Sequence, residues 1–128
     1  MKALLDTHAF LWWNLDSPKL SPTAREFISN GRNQVYLSAA SAWEIAIKFA
    51  KGRLTLPESP DTYVAARLQK HNFLVLPIQV SHALQVAHLP DIHQDPFDRL
   101  LIAQSQIEKL PLLTADSFIQ QYQVETVW

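Results

Sequence analysis

Short apolar runs alternate along the chain with longer segments whose apolar residues recur at helical spacing. The residues of each run are consecutive rather than alternating with polar ones, which predicts strands buried on both faces. Strands separated by helices indicate a parallel sheet with helical crossovers, so the pattern favours an α/β sandwich. The predicted strands are Ala3-Leu4-Leu5, Val35-Tyr36-Leu37, Phe73-Leu74-Val75-Leu76, Leu112-Leu113 and Val124 to Val127.

Helices are predicted between the strands. Ser21-Pro22 and Asp95-Pro96 each place an N-cap residue before a proline at the first helical position. Gly31 and Gly52 each follow a helical segment, where a residue at positive φ commonly ends a helix. The predicted helices cover residues 7–14, 22–30, 39–51, 60–71, 80–88, 96–109 and 116–121.

The composition fits one compact domain over residues 1–128, since 48% of the residues are hydrophobic and 18% are charged. The chain has no cysteine, which excludes disulfide scaffolds, thiol catalysis and cysteine-ligated metal sites and agrees with a reducing cytoplasm. Its two glycines are too few for a glycine-rich phosphate loop. The formal charge of −1 supplies no bulk positive field, so any nucleic-acid contact must be local.

No segment has the pattern of a targeting or membrane sequence. Asp6 interrupts the first apolar run too early for a secretory signal. The longest stretch without Asp, Glu, Lys or Arg, from His71 to Pro90, contains proline, glutamine and histidine and would make a poor membrane span. We therefore expect a soluble protein without a membrane partner.

Three predicted strands end in polar residues: Asp6 follows the first, Ser38 the second and Thr114-Ala115-Asp116 the fourth. In open parallel sheets, sites form beyond the carboxyl ends of the strands. Asp6 and Asp116 are equally suited to capping the helices that follow them. Neither aspartate alone decides between a cap and a catalytic group.

The helix from Ala39 to Lys51 is predicted to be largely buried, because two adjacent apolar stripes run along it. Its polar stripe would be the one solvent-facing side and includes Glu44. A structural ion pair with Lys48, four residues on, is compatible with a further role for Glu44. The apolar stripes consist of Trp43, Ala46, Ile47 and Ala50 and of Ala42, Ile45 and Phe49, and the polar stripe consists of Ser41, Glu44, Lys48 and Lys51.

A second aspartate, Asp98, lies in the first turn of the strongly apolar helix that follows Asp95-Pro96. Capping and the helix dipole explain an acid at both positions, and we favour that explanation for Asp95. For Asp98 we favour function, because the same dipole would keep its carboxylate ionised and ready for a metal. His93 is the one histidine expected near such a site, where a structural hydrogen bond is its preferred role.

Convergence of Asp6, Glu44, Asp98 and Asp116 would create a strongly repulsive cluster. Each close pair of carboxylates repels by roughly 1 kcal/mol in water-like surroundings and by about 4 kcal/mol at an intermediate dielectric. Such a cluster requires cations or protons, and oxygen ligands without cysteine favour Mg²⁺ or Mn²⁺ over zinc. The chemistry that fits is phosphodiester hydrolysis assisted by one or two metal ions.

Four segments, in order along the chain, match a known family: LLDTHAFLWW, SAWEIAIKFAKGRL, LPDIHQDPFDRLLIAQS and LLTADSFIQQY. Together they resemble PIN-domain proteins, specifically the VapC-type toxins of bacterial toxin–antitoxin pairs. The resemblance implies a three-layer α/β/α sandwich with a central parallel sheet. It also implies a Mg²⁺- or Mn²⁺-dependent endoribonuclease.

The resemblance assigns roles to individual residues. The metal-ligating acids of the family fall on Asp6, Asp98 and Asp116, and Glu44 would ligate a metal or orient the attacking water. The residues expected to support these acids are Thr114, Asp95 and His93, and the candidates for contacts with the RNA backbone are Lys48, Lys51, Arg53 and Arg99.

The implied partners are an RNA substrate, a small antitoxin whose C-terminal segment lies over the active cleft, and a second copy of the chain in a homodimer. Trp12 and Trp13 would serve the dimer or the antitoxin. A phosphatase of the haloacid-dehalogenase class also places an aspartate after its first strand, but it needs a second acid where His8 stands. A catalytically silent PIN-fold module that binds RNA or protein is the alternative outside the enzymes.

Overall fold

The computed structural model describes all 128 residues, and its sheet has five strands that are all parallel. The strands are β1 (Lys2–Leu5), β2 (Gln34–Ser38), β3 (Leu74–Leu76), β4 (Leu112–Leu113) and β5 (Thr126–Val127). Their order across the sheet is β3-β2-β1-β4-β5, so β1 is central and β3 and β5 are the edges. This arrangement brings the carboxyl ends of β1 and β4 side by side.

Six α-helices connect the strands: α1 (Thr7–Asn14), α2 (Pro22–Ser29), α3 (Ala39–Ala50), α4 (Pro60–His71), α5 (Val80–Gln85) and α6 (Pro96–Glu108). Ser21 and Asp95 cap α2 and α6 as predicted, since their side chains accept hydrogen bonds from Ala24 N and Phe97 N. None of the helices combines the length and the apolar character that crossing a bilayer requires.

Two predicted helices have different bounds or character. The helix predicted over 80–88 stops at Gln85 and continues as a 3-10 turn over Val86–His88. The helix predicted over 116–121 is wrong, because that segment contains only a 3-10 turn at Ile119–Gln121. There the chain closes i to i+3 hydrogen bonds of 3.1 Å, from Gln121 N to Phe118 O and from Tyr122 N to Ile119 O.

We predicted that Gly31 and Gly52 each end a helix with a positive φ, and this holds only at Gly52. Gly52 adopts a φ of +70° directly after α3, whereas Gly31 does not have a positive φ. Three other residues adopt the left-handed conformation at helix ends: Asp16 after α1, with φ 50°, Asn72 after α4, with φ 55°, and Lys109 after α6, with φ 56°. Lysine gives no sequence signal for such an end, because the left-handed conformation favours glycine and asparagine.

Successive residues of the central strands face opposite cores. Leu5 and Leu113 pack with Phe10 of α1 in one core, and Leu4 and Leu112 pack with Leu101 of α6 in the other. All six side chains are fully buried. The sheet is therefore covered by helices on both faces, which is the three-layer sandwich predicted from the uninterrupted apolar runs.

The orientation of α3 is the reverse of the predicted one. Ser41 and Glu44, from the polar stripe, are buried, and Glu44 is only 4% exposed. Trp43, from an apolar stripe, is 55% exposed. The polar stripe faces inward because Ser41 lies against the end of β1, where its hydroxyl accepts a 2.9 Å hydrogen bond from the Thr7 hydroxyl. Periodicity predicted the helix correctly but assigned its buried side to the wrong residues.

Candidate active site

Asp6 lies at the carboxyl end of β1 and serves as the N-cap of α1. Its Oδ1 accepts a 2.7 Å hydrogen bond from Ala9 N, and its Oδ2 accepts a 2.5 Å hydrogen bond from the Thr114 hydroxyl. The side chain is buried, and this burial raises the pKa of the Asp6 carboxyl while the two hydrogen bonds oppose the rise. Capping and a functional role are therefore compatible in the same residue.

Thr114 connects the ends of the two neighbouring strands. Besides donating to Asp6, its hydroxyl accepts a 3.0 Å hydrogen bond from Asp116 N. The Asp116 carboxylate caps the turn that follows, accepting from Phe118 N at 2.7 Å. Negative charge on Asp116 contributes to the raised pKa of Asp6, so the two carboxylates face a common region.

Asp98 approaches the same region from the first turn of α6. Asp95 caps this helix by accepting from the backbone N–H groups of Phe97 and Asp98, at 2.9 and 3.0 Å. The pKa of Asp98 is raised from 3.8 to about 6, chiefly by burial and then by the negative charge of Asp95. Asp116 and Asp6 raise it further, whereas a hydrogen bond from His93 lowers it. Asp6, Asp98 and Asp116 thus repel one another across a shared site.

Glu44 is buried on α3 and is already paired. Its Oε2 accepts a 2.6 Å hydrogen bond from Nζ of Lys48, which is the i,i+4 pair expected from the sequence. One turn earlier on the same side of α3, Ser41 contacts Thr7, the neighbour of Asp6. Glu44 therefore lies on the same side of α3 as Ser41, and Lys48 balances its charge, whereas its approach to the three aspartates stays a prediction.

The oxygen ligands suit a hard divalent cation, although the structure contains no preformed coordination site of three protein side chains. No three His, Asp or Glu side chains converge closely enough to hold a metal ion. Mg²⁺ is commonly bound through one or two carboxylates while it keeps several waters, so such a site is not required. The charge of Asp116 raises the pKa of both Asp6 and Asp98, and the charge of Asp6 raises that of Asp98, so added positive charge would be stabilised here.

The four basic candidates differ in what they contact. Lys51 and Arg53 are exposed at the end of α3, and Lys48 is half-buried on Glu44. The guanidinium of Arg99 is held inside the protein, where it donates to Pro90 O at 2.9 Å and to the Tyr122 hydroxyl at 3.1 Å. Nη1 of Arg99 is therefore engaged within the protein, and the contact of this half-buried side chain with RNA stays a prediction.

Tyr122 is a residue that the sequence did not indicate. Its hydroxyl lies 2.7 Å from Nδ1 of His93, and Nε2 of His93 lies 3.2 Å from Oδ2 of Asp98. His93 therefore makes the structural hydrogen bond expected of it. Nothing in the sequence pairs Tyr122 with His93, because 29 positions separate them and the tyrosine lies outside any helix or strand.

A groove of about 270 Å³ opens beside Thr7. Apolar side chains of α1 form one wall, and the segment after α3 forms the other. Trp12 lines this groove and also packs edge-on against Trp128, whereas Trp13 packs against His71 on the far side of α1. The lining residues are Thr7, His8, Leu11, Trp12, Leu15, Ile45, Lys48, Arg53, Leu54, Thr55, Leu56, Pro57 and Tyr63.

Comparison with known proteins gives the class of this α/β fold. The PIN domain model matches residues 3–124, and the chain belongs to the PIN domain family. A curated relative, Ribonuclease VapC16 of Mycobacterium tuberculosis (strain ATCC 25618 / H37Rv), is 40% identical over 70 residues. That match covers 52% of this chain and 48% of the relative, so the chain spans about half the length of the relative.

Two solved structures share the fold along almost the whole chain. One is the crystal structure of VapBC2 from Rickettsia felis bound to a DNA fragment from their promoter, with a TM-score of 0.70 and 12% identity over 98% of this chain and 96% of that one. The other is FitAcB from Neisseria gonorrhoeae, with a TM-score of 0.63 and 21% identity over 93% of this chain and 90% of that one. These matches confirm the predicted PIN-like sandwich.

Proposed function

We propose that this chain is a metal-dependent endoribonuclease and the toxin of a toxin–antitoxin pair of the VapC type. The observation that carries the proposal is that Asp6 and Asp116 meet at the Thr114 hydroxyl, at the carboxyl end of the sheet, with their charges raising the pKa of Asp98. Similarity to a relative named as a ribonuclease supports RNA as the substrate.

The four acids have two roles in this proposal. Asp6, Asp98 and Asp116 would hold Mg²⁺ or Mn²⁺ directly or through water, and Glu44 would ligate or orient the attacking water. When bound, the ion would stabilise the charge that develops on the phosphodiester during attack by water. Lys51 and Arg53 are exposed beside the site and would contact RNA phosphates, which position a substrate without reading its sequence.

Cleavage of total RNA by the purified protein tests this function. The assay compares Mg²⁺, Mn²⁺ and EDTA, and it includes Asp6→Asn as the inactive variant and the exposed Asp91→Asn as its matched control. We expect discrete fragments with either metal, none with EDTA, and none with Asp6→Asn. RNA binding by the folded protein without cleavage under any metal would instead support the catalytically silent binding module.

We propose that the antitoxin occupies the groove beside Thr7. The groove adjoins the carboxylate site, so a segment bound there would also cover the cleft. Its apolar walls suit an apolar segment, and Lys48 and Arg53 at its rim suit acidic residues of the partner. Leu11→Glu should abolish capture of the co-expressed antitoxin while leaving RNA cleavage intact. Unchanged capture would place the antitoxin elsewhere.

We also propose a homodimer formed through β3 and α5. Three large apolar side chains there are strongly exposed, since Val75, Val80 and Leu84 are 55%, 75% and 66% exposed. The patch lies within the segment His71 to Pro90, which has no Asp, Glu, Lys or Arg. In a two-fold dimer a surface meets its own copy, and an uncharged surface does so without repulsion.

Sedimentation velocity tests the dimer. The native chain should sediment as a dimer at micromolar concentration, and Leu84→Lys should convert it into a folded monomer. Gln69→Lys, which adds the same charge at an exposed position of α4, should leave the dimer intact. A monomeric native chain, or a dimer that survives Leu84→Lys, would show that this patch is not the interface.

A further inference from the structure

A chain of hydrogen bonds runs from the guanidinium of Arg99 to the carboxylate of Asp98 through two intervening side chains. Nη1 of Arg99 donates to the Tyr122 hydroxyl at 3.1 Å, and the backbone N–H of His93 donates to the same oxygen at 3.3 Å. That oxygen lies 2.7 Å from Nδ1 of His93, whose Nε2 lies 3.2 Å from Oδ2 of Asp98. The chain therefore ends on an acid of the proposed metal site.

The donors and acceptors in this chain determine where the protons lie. A phenol has one proton to donate, and the oxygen of Tyr122 already accepts from Arg99 and from the backbone of His93. Its own proton is therefore directed at Nδ1 of His93, which must act as the acceptor. The other ring nitrogen, Nε2, then carries the imidazole proton and donates it to Asp98.

The surrounding side chains hold the His93 ring in place. Phe118 stacks on one face, with ring centroids 5.3 Å apart and an interplanar angle of 12°, and the Tyr122 ring contacts it edge-on at 5.4 Å. Arg99 is itself anchored by Pro90 O and His93 O, at 2.9 and 3.3 Å. The His93 side chain is only 10% exposed, so solvent cannot easily replace these contacts.

We propose that Tyr122 and Arg99 fix the tautomer of His93, and that His93 in turn fixes the rotation of the Asp98 carboxylate for cation binding. In this arrangement His93, Tyr122 and Arg99 are positioning residues, since each acts through the carboxylate of Asp98. Oδ2 is the one oxygen of Asp98 that accepts a hydrogen bond from a side chain, so this contact alone orients the group. The effect on cation binding rests on the proposed function, whereas the assignment of the His93 tautomer does not.

The tautomer is measured in the metal-free protein by NMR with isotope-labelled histidine at mildly alkaline pH, where histidine is neutral. Loss of one signal in His93→Gln identifies the His93 resonances among those of the five histidines. We expect the proton on Nε2 in the native chain and a shift towards the Nδ1 form in Tyr122→Phe. If Nδ1 of the native His93 carries the proton, the proposal is wrong. This result needs no variant and does not depend on the outcome of the nuclease assay.

Mn²⁺ affinity, measured by electron paramagnetic resonance, tests the second step. The side-chain amide nitrogen of glutamine reaches the position of Nε2, whereas that of asparagine reaches only the position of Nδ1. His93→Gln should therefore keep the affinity within about threefold of the native value, and His93→Asn should lower it about tenfold, as for other residues that orient metal ligands. Equal affinities for the two folded variants would show that His93 only fills space.

Discussion

The hydroxyl of Thr114 donates a 2.5 Å hydrogen bond to Oδ2 of Asp6, joining residues that are 108 positions apart. The bond exists because β1 and β4 are parallel neighbours, so that both strands end at the same level of the sheet. It lowers the pKa of a carboxyl that burial raises. The bond thereby favours the anion of Asp6 at a position where desolvation favours its proton.

Thr114→Val tests the importance of this bond, because valine keeps the shape of threonine and removes the donor. A hydrogen bond to an ionised group contributes roughly 1.5–3 kcal/mol, which corresponds to a loss of about 10- to 100-fold in kcat/KM. The pKa of Asp6 should rise further, so the acidic limb of the pH–rate profile should move to higher pH. Thr114→Ser retains the hydroxyl and should behave as the native chain; an equal loss in Thr114→Ser would implicate packing.

Asp98→Asn is expected to abolish cleavage and to stabilise the metal-free protein above about pH 6. The folded pKa of Asp98 is about 6, against 3.8 for the unfolded chain, so the folded state binds the proton more tightly. The associated stabilisation is complete below pH 3.8 and is lost as the pH rises through about 6. Asparagine avoids this loss, which is worth at most roughly 3 kcal/mol.

Urea denaturation at pH 5 and pH 8 with a chelator present measures this effect. The gain in the free energy of unfolding for Asp98→Asn should be larger at pH 8 than at pH 5. Asp91→Asn removes an exposed charge and should show no such difference. A loss of stability in Asp98→Asn at pH 8 would mean that the carboxylate is needed for folding.

The existence of the strands and the burial of the central ones could be predicted from the sequence because they depend on local patterns, whereas the order across the sheet and the exposure of Leu74 and Val75 on the edge strand β3 could not. Uninterrupted runs such as Leu4-Leu5 and Leu112-Leu113 require apolar partners on both sides of a sheet, and the structure supplies them. The caps at Ser21 and Asp95 were predictable for the same reason, since each is defined by its own residue and the proline after it.

The inward face of α3 and the role of Tyr122 could not be predicted, because both depend on contacts between distant segments. Periodicity assumes that the apolar side of a helix faces the protein, yet Glu44 is buried and Trp43 is exposed. The buried side of α3 differs from the prediction because this helix faces polar groups, such as the Thr7 hydroxyl, in place of an apolar core. The pairing of Tyr122 with His93 likewise arises only after the chain end has folded back onto α6.

Divalent cations should stabilise the native chain. Ligands that bind only the folded state raise its free energy of unfolding, by about 2.7 kcal/mol at a hundredfold excess over Kd. Mg²⁺ or Mn²⁺ should therefore raise Tm, EDTA should reverse the rise, and Asp6→Asn and Asp98→Asn should each remove most of it. An equal rise in Tm for both variants in differential scanning calorimetry would place the cation elsewhere.

Gln104→Leu should destabilise the fold, because Gln104 connects the two helices that carry Glu44 and Asp98. The Ser38 hydroxyl, which caps α3, donates to Oε1 of Gln104 at 2.5 Å, and Nε2 of Gln104 donates to Pro77 O at 3.2 Å. Leucine fits the buried position on α6 but leaves both partners unsatisfied.

The expected cost of Gln104→Leu is about 1–3 kcal/mol in the free energy of unfolding, measured by urea denaturation. Gln106→Leu makes the same change two residues on, where the side chain is half-exposed and its partners can turn to water. That control should change stability by no more than about 0.5 kcal/mol. Similar losses in the two variants would mean that the buried amide does not hold α3 and α6 together, and that apolar packing alone sets their positions.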